Sequence, residues 1–471
     1  MQVRKLVSNA LVAFLAQGVS LTLSVLTSLL VPKILGIEEF GYWQLFIFYT
    51  SYAGLFHLGL NDGVYLLNGG RHRNELDSRS IKGQFAVGTL FQLICAALIF
   101  LGALSGGFGE KRSAVLMLTA IYMVLTNAAA FLGYVFQAIN ETKLFSFSVI
   151  IDKLVFLVPL CVLLICRVRT FEWYAIFYAV SKTCAFVYCL WRAKDILAVK
   201  AYSLSQSAQL SWNSIRVGIK LMIANLASLL ILGVARFVID YKWGIKVFGK
   251  LSFSLALVNF FIQFVSQASM VLFPALRQSN REELTNVYRH IRDVMELVFP
   301  FIYLLYFPIV WIISKWLPAY ASSLDYFILL MPLCLFNTKM DICCTTYFKV
   351  LRREKLLLII NLATVALSSV CVFIFAFLKP SVYLIIGSVV VAIILRSFVS
   401  EMLVNRQLYV KSSILSVEEI MITIIFIAVA FMLPGWWAAG IYAIVYAVYL
   451  LINRRACKDM ISVFKRAFSQ K

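Results

Sequence analysis

Charge is scarce in this chain. Asp, Glu, Lys and Arg make up 14% of its 471 residues and hydrophobic residues 62%, against about 25% and 45–50% in soluble domains, which excludes a water-soluble globular protein. Catalytic signals are missing too. There is no Walker-type loop and no cluster with metal-ligand spacing, and none of the three histidines pairs with a nucleophile at an informative distance in sequence. The ten cysteines lie mostly inside apolar runs (Cys95, Cys161, Cys184, Cys371), without the spacing of a zinc site or a disulfide framework, and read as small hydrophobes. Long polar segments are lacking: the longest, Arg192 to Arg216, is about two dozen residues. With no room for an extramembrane enzymatic domain, the chain reads as a protein that is not an enzyme. The basic tip Met1 to Lys5 leads into an apolar run too long for a signal peptide and without a small-residue cleavage site, so that run reads as a membrane span.

What is present is a series of apolar runs. A helix crosses the hydrocarbon core with roughly 20 mostly apolar residues, and fourteen runs qualify: Val7 to Val31, Phe40 to Leu66, Gly83 to Ser105, Ser113 to Ala138, Phe145 to Cys166, Trp173 to Trp191, Val217 to Ile239, Leu251 to Ala275, Val294 to Ile313, Leu324 to Tyr347, Leu356 to Leu378, Val382 to Val404, Glu418 to Leu433 and Trp436 to Asn453. The expected fold is therefore an all-α integral membrane protein with about 14 transmembrane helices. With the N-terminus in the cytoplasm, 27 Lys and Arg fall on the cytoplasmic side and 10 on the other, as the positive-inside rule requires. The C-terminus is then cytoplasmic as well, where Arg454, Arg455, Lys458, Lys465 and Arg466 meet anionic headgroups. The net charge of +21 follows from this orientation rather than from nucleic-acid binding, because the basic residues sit in short clusters between apolar runs. Trp43, Trp173, Trp191, Trp316 and Trp436 fall near predicted span ends, where an interfacial aromatic belt lies.

The chain also repeats itself. Gly36-Ile37-Glu38-Glu39-Phe40-Gly41 after the first span matches Gly244-Ile245-Lys246-Val247-Phe248-Gly249 after the seventh at four positions, 208 residues on. At the same offset Arg73, Glu75 and Leu76 match Arg281, Glu283 and Leu284. Six spans separate the copies, so both halves keep one orientation and form parallel repeats, as in several transporter folds. The expected organisation is an N-terminal six-helix lobe over 1–200, a second over 201–410, and two additional helices with a basic tail over 411–471. A structural duplication without transport is the alternative.

Six basic residues lie inside predicted spans, where a central charge costs about 2.5–3.5 kcal/mol on insertion scales and normally faces a bundle interior or an aqueous cavity. Lys220 and Arg236 are near span ends and can snorkel. Lys153, Lys182, Lys339 and Arg396 all lie 8 or 9 residues from the cytoplasmic end, about 12–14 Å deep at 1.5 Å per residue. Such a group calls for either buried carboxylates or an anionic cargo. Asp152, Asp341 and Glu401 are the candidate charge partners, and equally candidates for ion coupling. Within one helix they cannot pair with the cations, because neighbours on a helix face are three or four residues apart; pairing across helices stays open. Asp62 and Asp325 read as solvated near span ends, His57 as a satisfied core histidine, and Pro274, Pro300, Pro308 and Pro332 as kinks or helix ends.

Several motifs resemble a known family. Pro32-Lys33-Ile34-Leu35-Gly36 followed by Phe40-Gly41, then Leu58-Gly59-Leu60-Asn61-Asp62-Gly63, are similar to polysaccharide flippases of the Wzx type. Phe136-Gln137-Ala138-Ile139-Asn140 before Lys143, Arg236-Phe237-Val238-Ile239-Asp240 and Trp316-Leu317-Pro318-Ala319-Tyr320 echo the same family. The resemblance implies the multidrug/oligosaccharidyl-lipid/polysaccharide (MOP) exporter superfamily, with a V-shaped central cavity between two lobes and alternating access. It implies a cargo as well: an undecaprenyl pyrophosphate-linked oligosaccharide moved from the cytoplasmic to the outer leaflet of a bacterial inner membrane, for O-antigen, capsule or exopolysaccharide synthesis. On that reading Lys153, Lys182, Lys339 and Arg396 hold the pyrophosphate. The partners are the lipid-linked sugar, membrane lipids and, as candidates, a polysaccharide polymerase and a chain-length regulator, with no nucleic acid. No cofactor is implied. An inside-negative potential favours export of an anion by about 2.3 kcal/mol per charge per 100 mV, alone or beside proton or sodium coupling. The rival readings are a drug/cation antiporter, which would place carboxylates in the N-terminal lobe whereas the first span has none, a lipid II flippase of the same superfamily, and a membrane-embedded polymerase or ligase, which would need a long external loop.

Overall fold

The computed structural model describes Gly18 and residues 22–278, 281–411, 413–433, 435–458 and 460, with the side chains of 264–278 outside that set. Most of the predicted first span, the side chain of Pro274, and Lys465 and Arg466 in the basic tail lie outside the described residues. Every regular element among the described residues is a helix. In a bilayer each buried peptide group has to find its partner within its own segment, and the sequence supplies apolar runs long enough for that.

The helices used below are α1 (Val31–Ser51), α2 (Leu60–Asn68), α3 (Ser78–Leu104), α4 (Glu110–Ala138), α5 (Thr142–Ile165), α6 (Phe171–Arg192), α7 (Leu204–Gln278), α8 (Arg281–Val298), α9 (Tyr306–Trp316), α10 (Leu324–Leu330), α11 (Pro332–Lys339), α12 (Thr346–Val350), α13 (Glu354–Phe377), α14 (Val382–Leu408), α15 (Leu415–Met432) and α16 (Gly435–Ile452). Eleven helical stretches are long and apolar enough to cross a membrane, so the chain is a multi-pass membrane protein. The other three of the fourteen predicted spans have separate explanations. The first lies largely outside the described residues. The second is interrupted: α1 ends at Ser51, a 3₁₀ turn follows over Ala53–His57, Leu58 and Gly59 take positive φ of 52° and 85°, and only then does α2 begin. The seventh and eighth fall within a single stretch, Leu204–Gln263, whose 60 residues would measure about 90 Å as a straight helix. That stretch is bent at Gly244 (φ 77°, ψ 179°).

Gly244 is where the repeat becomes visible in three dimensions. Its partner at the 208-residue offset, Gly36, has φ 74° and ψ 178° inside α1, a conformation essentially confined to glycine. The two apolar cores agree as well. Leu76, Leu132, Val135, Phe136, Ile139 and Ile196 belong to one buried cluster, and Leu284, Met340, Cys343, Cys344, Tyr347 and Val404, each 208 residues further on, belong to another. Arg73 reaches the carbonyl of Arg192 at the end of α6 (3.3 Å), and Arg281 reaches the carbonyl of Gln407 at the end of α14 (3.3 Å). The two halves thus carry the same local features at one constant offset, and the α15–α16 pair follows the second.

The chain forms two compact units, Met1–Leu226 and Ala227–Lys471. In the first, α4 packs on α3, α6, α2 and α1, and α5 packs on α6. The early part of α7 is pressed against α2 almost backbone to backbone. A Cβ on Gly63 would stand 1.9 Å from the Ser214 carbonyl oxygen, and one on Gly218 would stand 2.0 Å from that of Gly59. Lipid gives helices no hydrophobic reason to associate, so close approach at small residues supplies the van der Waals contact instead. In the second unit α14 packs on α13, α10 and α11, and α15 packs on α16 and α8. The outward face of α3 carries Leu90, Leu93, Ile94, Leu98, Leu101 and Leu104, each at least half exposed, as a lipid-facing stripe should be. Trp173, Trp191, Trp316 and Trp436 are exposed, in keeping with an interfacial belt; Trp43 is not, being 2% exposed, and its place is the interior of the first unit.

Candidate functional site

The first unit brings three of the expected residues together. Asp152 on α5 and Lys182 on α6 meet at 2.7 Å, and Ser181 donates to the other Asp152 oxygen at 3.1 Å. The pair is therefore made across helices. It is not sealed: the Lys182 side chain keeps 17% of its surface and Asp152 keeps 7%. Lys153, half-buried on the same helix as Asp152, makes no ion pair or hydrogen bond with the described residues. Beside these groups stands an aromatic assembly centred on Tyr178, whose ring stacks on Tyr122 (5.2 Å) and meets Phe156 (5.0 Å), Trp43 (5.8 Å) and Phe46 (6.0 Å) edge-on. The Lys182 ammonium lies 5.9 Å from the Tyr122 ring centre, within range of a cation–π attraction.

The second unit holds Lys339 in a different setting. It sits at the end of α11, where the chain passes into a π-helical turn over Met340–Thr345, the kind of widened turn that accumulates at functional positions. Its ammonium lies 2.9 Å from Glu296 on α8, 2.7 Å from Glu401 on α14 and 2.6 Å from Glu419 on α15. All four side chains are at most 2% exposed. Ser416, one turn before Glu419, stands 2.7 Å from Glu296 Oε1 and 2.6 Å from Glu401 Oε1. Arg292 flanks the group: it binds Asp293 at 2.9 Å, donates to the Lys411 carbonyl and approaches Glu296 Oε2 at 4.0 Å.

Arg396 is also buried, with Nη2 donating to Asn337 Oδ1 at 2.8 Å and Nε without a hydrogen-bond partner. Asp341, in the π turn, is exposed and within electrostatic reach of Arg396 and Lys349. Lys220 is exposed, as snorkelling requires, whereas Arg236 is held inside its unit by Ser252 (3.1 Å) and the Phe248 ring. Asp325 is exposed and accepts from Tyr383. Asp62 departs from expectation: it is 5% exposed, with His57 Nε2 3.9 Å away. His57 is satisfied by the Gly59 N–H, which donates to Nδ1 at 3.0 Å. The carbonyls freed where the second span unwinds are taken up by Gln92, donating to Phe56, and Asn127, donating to Ala53. His57, Gln92 and Asn127 line a cavity of about 170 Å³ together with Phe85, Phe131 and Trp212. Glu296, Glu419, Arg292 and Ser416 were not among the sequence candidates. The first two lie within two residues of predicted span starts, and the signal available was that such ends sit close in depth to Lys339 when the helices are antiparallel.

Among the described residues no group of His, Cys, Asp and Glu is arranged to hold a metal ion. No curated protein matches the chain in sequence. Two solved structures share its fold. The lipid II flippase MurJ in an inward closed conformation is 12% identical with a TM-score of 0.61, covering 98% of this chain and 99% of that one. An inward-facing multidrug resistance transporter of the MATE family, in the MOP superfamily, is 12% identical with a TM-score of 0.60, covering 82% of this chain and 94% of that one. A family model described as polysaccharide biosynthesis protein matches residues 6–280, more than half of the chain. The chain belongs to that polysaccharide biosynthesis family, within the fold shared by these transporters and flippases.

Proposed function

We propose that this protein is a flippase that moves an undecaprenyl pyrophosphate-linked oligosaccharide from the cytoplasmic to the outer leaflet of a bacterial inner membrane by alternating access. Both termini are cytoplasmic on this reading, and the sugar serves O-antigen, capsule or exopolysaccharide synthesis. The observation that carries it is the conjunction of a polysaccharide-biosynthesis family match with a transporter fold in which no described segment forms an extramembrane domain. Lys153 and Lys182 are the proposed pyrophosphate ligands. Lys182 is only partly covered and its single carboxylate partner can be displaced by a stronger anion, while Lys153 is half-buried within electrostatic reach of Asp152 and Tyr178. Arg396, with an unpaired Nε, is the candidate in the second unit. Lys339 is left out because all three ammonium donors face carboxylates. Asp341 and Asp152 retain charge-pairing roles, the one beside Arg396 and the other with Lys182.

The test is deletion of the gene in its source organism, with surface polysaccharide and lipid-linked oligosaccharide both quantified. Loss of polymer, with the intermediate accumulating on the cytoplasmic leaflet, is expected, and Lys153→Ala, Lys182→Ala and Arg396→Ala should each complement poorly while reaching the membrane in normal amounts. Unchanged pools combined with raised sensitivity to cationic drugs would replace this reading with a drug antiporter. Accumulation of the peptidoglycan precursor would replace it with a lipid II flippase.

A further inference from the structure

Ser416, between Glu296 and Glu401, makes two hydrogen-bond contacts with the single hydrogen of its hydroxyl. Ser416 Oγ lies 2.7 Å from Glu296 Oε1 and 2.6 Å from Glu401 Oε1. A hydroxyl carries one proton and an ionised carboxylate carries none, so with both carboxylates ionised one of these contacts would oppose two lone pairs at hydrogen-bond distance. Lys339 does not relieve this: it donates to Glu296 Oε1 and Glu419 Oε2, and its ion-pair contact with Glu401 is to Oε2, the oxygen that Ser416 does not touch. A single proton on the Glu296–Ser416–Glu401 chain makes both contacts hydrogen bonds. The charge count points the same way. Three glutamates against one lysine leave two uncompensated negative charges in a site at most 2% exposed, which is prohibitively expensive in a low-dielectric interior. One bound proton together with Arg292 removes both, while Asp293, 31% exposed, remains at the solvated edge. Glu296 Oε2, Glu401 Oε2 and Glu419 Oε1 are buried with no hydrogen-bond partner, which gives a proton further sites to occupy.

We propose that Glu296, Glu401 and Glu419, bridged by Lys339 and Ser416, form a proton-binding site, and that exchange of this proton drives the transport cycle. The coupling half of this proposal rests on the flippase reading above; the proton half does not. The site draws one carboxylate and the serine from α15, which lies beyond the two repeats. Loss of the proton would set Glu296 against Glu401 across Ser416 and push α15 away from α8 and α14, so protonation is converted into a helix displacement. The other ionisable groups facing the cluster are Tyr288 and Arg292 on α8, with Asp293 bound to Arg292, Tyr303 after α8, Cys343 and Cys344 in the π turn and Tyr449 on α16. Arg292, 4.0 Å from Glu296 Oε2, stabilises the deprotonated form.

Two measurements on the full chain in lipid test this. Infrared spectroscopy of the purified protein at neutral pH should show a protonated carboxyl C=O band that shifts in D₂O, disappears as the pH is raised, is lost in Glu401→Gln or Glu296→Gln, and moves in Ser416→Ala. Absence of the band at neutral pH, or its persistence through Glu296→Gln, Glu401→Gln and Glu419→Gln alike, would overturn the site whatever the cargo. In inverted vesicles loaded with lipid-linked oligosaccharide, an imposed pH gradient should accelerate transfer several-fold in the wild type and leave Glu401→Gln unaffected. Transfer that answers only to a sodium gradient, or to none, would overturn the coupling. Absence of any sugar transfer, with the infrared band intact, would instead count against the flippase reading alone.

Discussion

The two repeats are alike in their apolar cores and opposite in their polar ones. Offset by 208 residues, Lys339, Glu296 and Glu401 of the second unit fall on Phe131, Gly88 and Ala193 of the first, and Lys182 and Asp152 of the first fall on Val390 and Ile360 of the second. Phe131 and Gly88 line the cavity beside His57, so where one unit has a packed charge cluster the other has a mostly apolar cavity. The cores had to remain compatible with the same helix crossings, and matching positions such as Leu76 and Leu284 are buried in both. The polar centres were under no such constraint. A duplicated scaffold has thus acquired a partly open lysine pair in one copy and a closed carboxylate–lysine site in the other, which is the division of labour that a cargo site and a proton site would need.

The comparison breaks most visibly at the two lysines. Lys339→Met leaves three buried carboxylates without their cation, and removal of one member of a buried ion group costs about 3–5 kcal/mol. Lys182→Met, at a partly exposed pair with a single partner, should cost about 1–2 kcal/mol, between the surface and buried limits. Thermal unfolding of the two variants in detergent, followed by the loss of a monodisperse elution peak, checks the order. If Lys182→Met were the more damaging, the assignment of a structural charge cluster to the second unit and a cargo contact to the first would be reversed.

A second comparison should show equality. Gly36 and Gly244 have the same backbone conformation, one that any L side chain enters only under strain of about 1–3 kcal/mol. A Cβ at either position meets nothing within 4 Å, so Gly36→Ala and Gly244→Ala isolate the backbone cost. Both should lower stability by the same amount within about 0.5 kcal/mol, the usual spread for independent sites. Unequal costs would mean that the two chain reversals are built differently in spite of their shared motif.

Much of this architecture was legible in the sequence because lipid enforces it. Apolar runs and Lys/Arg asymmetry reveal spans directly, and the Gly-Ile-x-x-Phe-Gly repeat located both chain reversals. Sequence also singled out Lys153, Lys182, Lys339 and Arg396 as cations within spans, since a cation in an apolar run stands out. It failed where the informative residue sat at a span end. Glu296 and Glu419 look like ordinary headgroup-level carboxylates until antiparallel packing of α8, α11, α14 and α15 brings them to one ammonium. Trp43 misled for the mirror-image reason: a tryptophan near a span end resembles an interfacial anchor, and only the packing of Phe156 and Tyr178 around it shows that it is core. The interruption of the second span at Tyr52–Gly59 was hidden because its residues are as apolar as the helix around them.

The smallest effect lies at the two arginines that match across the 208-residue offset. Arg73 holds Glu141 at 2.8 Å and Asp195 at 2.6 Å besides the Arg192 carbonyl, whereas Arg281 has the Gln407 carbonyl and the Tyr409 ring. Partial burial works against ionisation of Asp195, but its hydrogen bond and attraction to Arg73 outweigh this and hold its carboxyl below the ordinary aspartate range. A carboxyl depressed by folding contributes stability at pH values above its unfolded pKa, and that contribution is lost as the pH falls through the folded value. The Arg73 clasp should therefore be fully present at neutral pH and weaken below about pH 4, while the Arg281 contact, which involves no titrating partner, should not change. Because these groups are substantially exposed, Arg73→Ala should cost under about 1 kcal/mol at neutral pH and flatten the acid limb of the stability profile, and Arg281→Ala should lower the whole profile slightly without altering its shape. Thermal midpoints of the three proteins between pH 3 and pH 7 decide it: parallel profiles for Arg73→Ala and wild type would show that the clasp contributes nothing, and that the two arginines share only a position in the repeat.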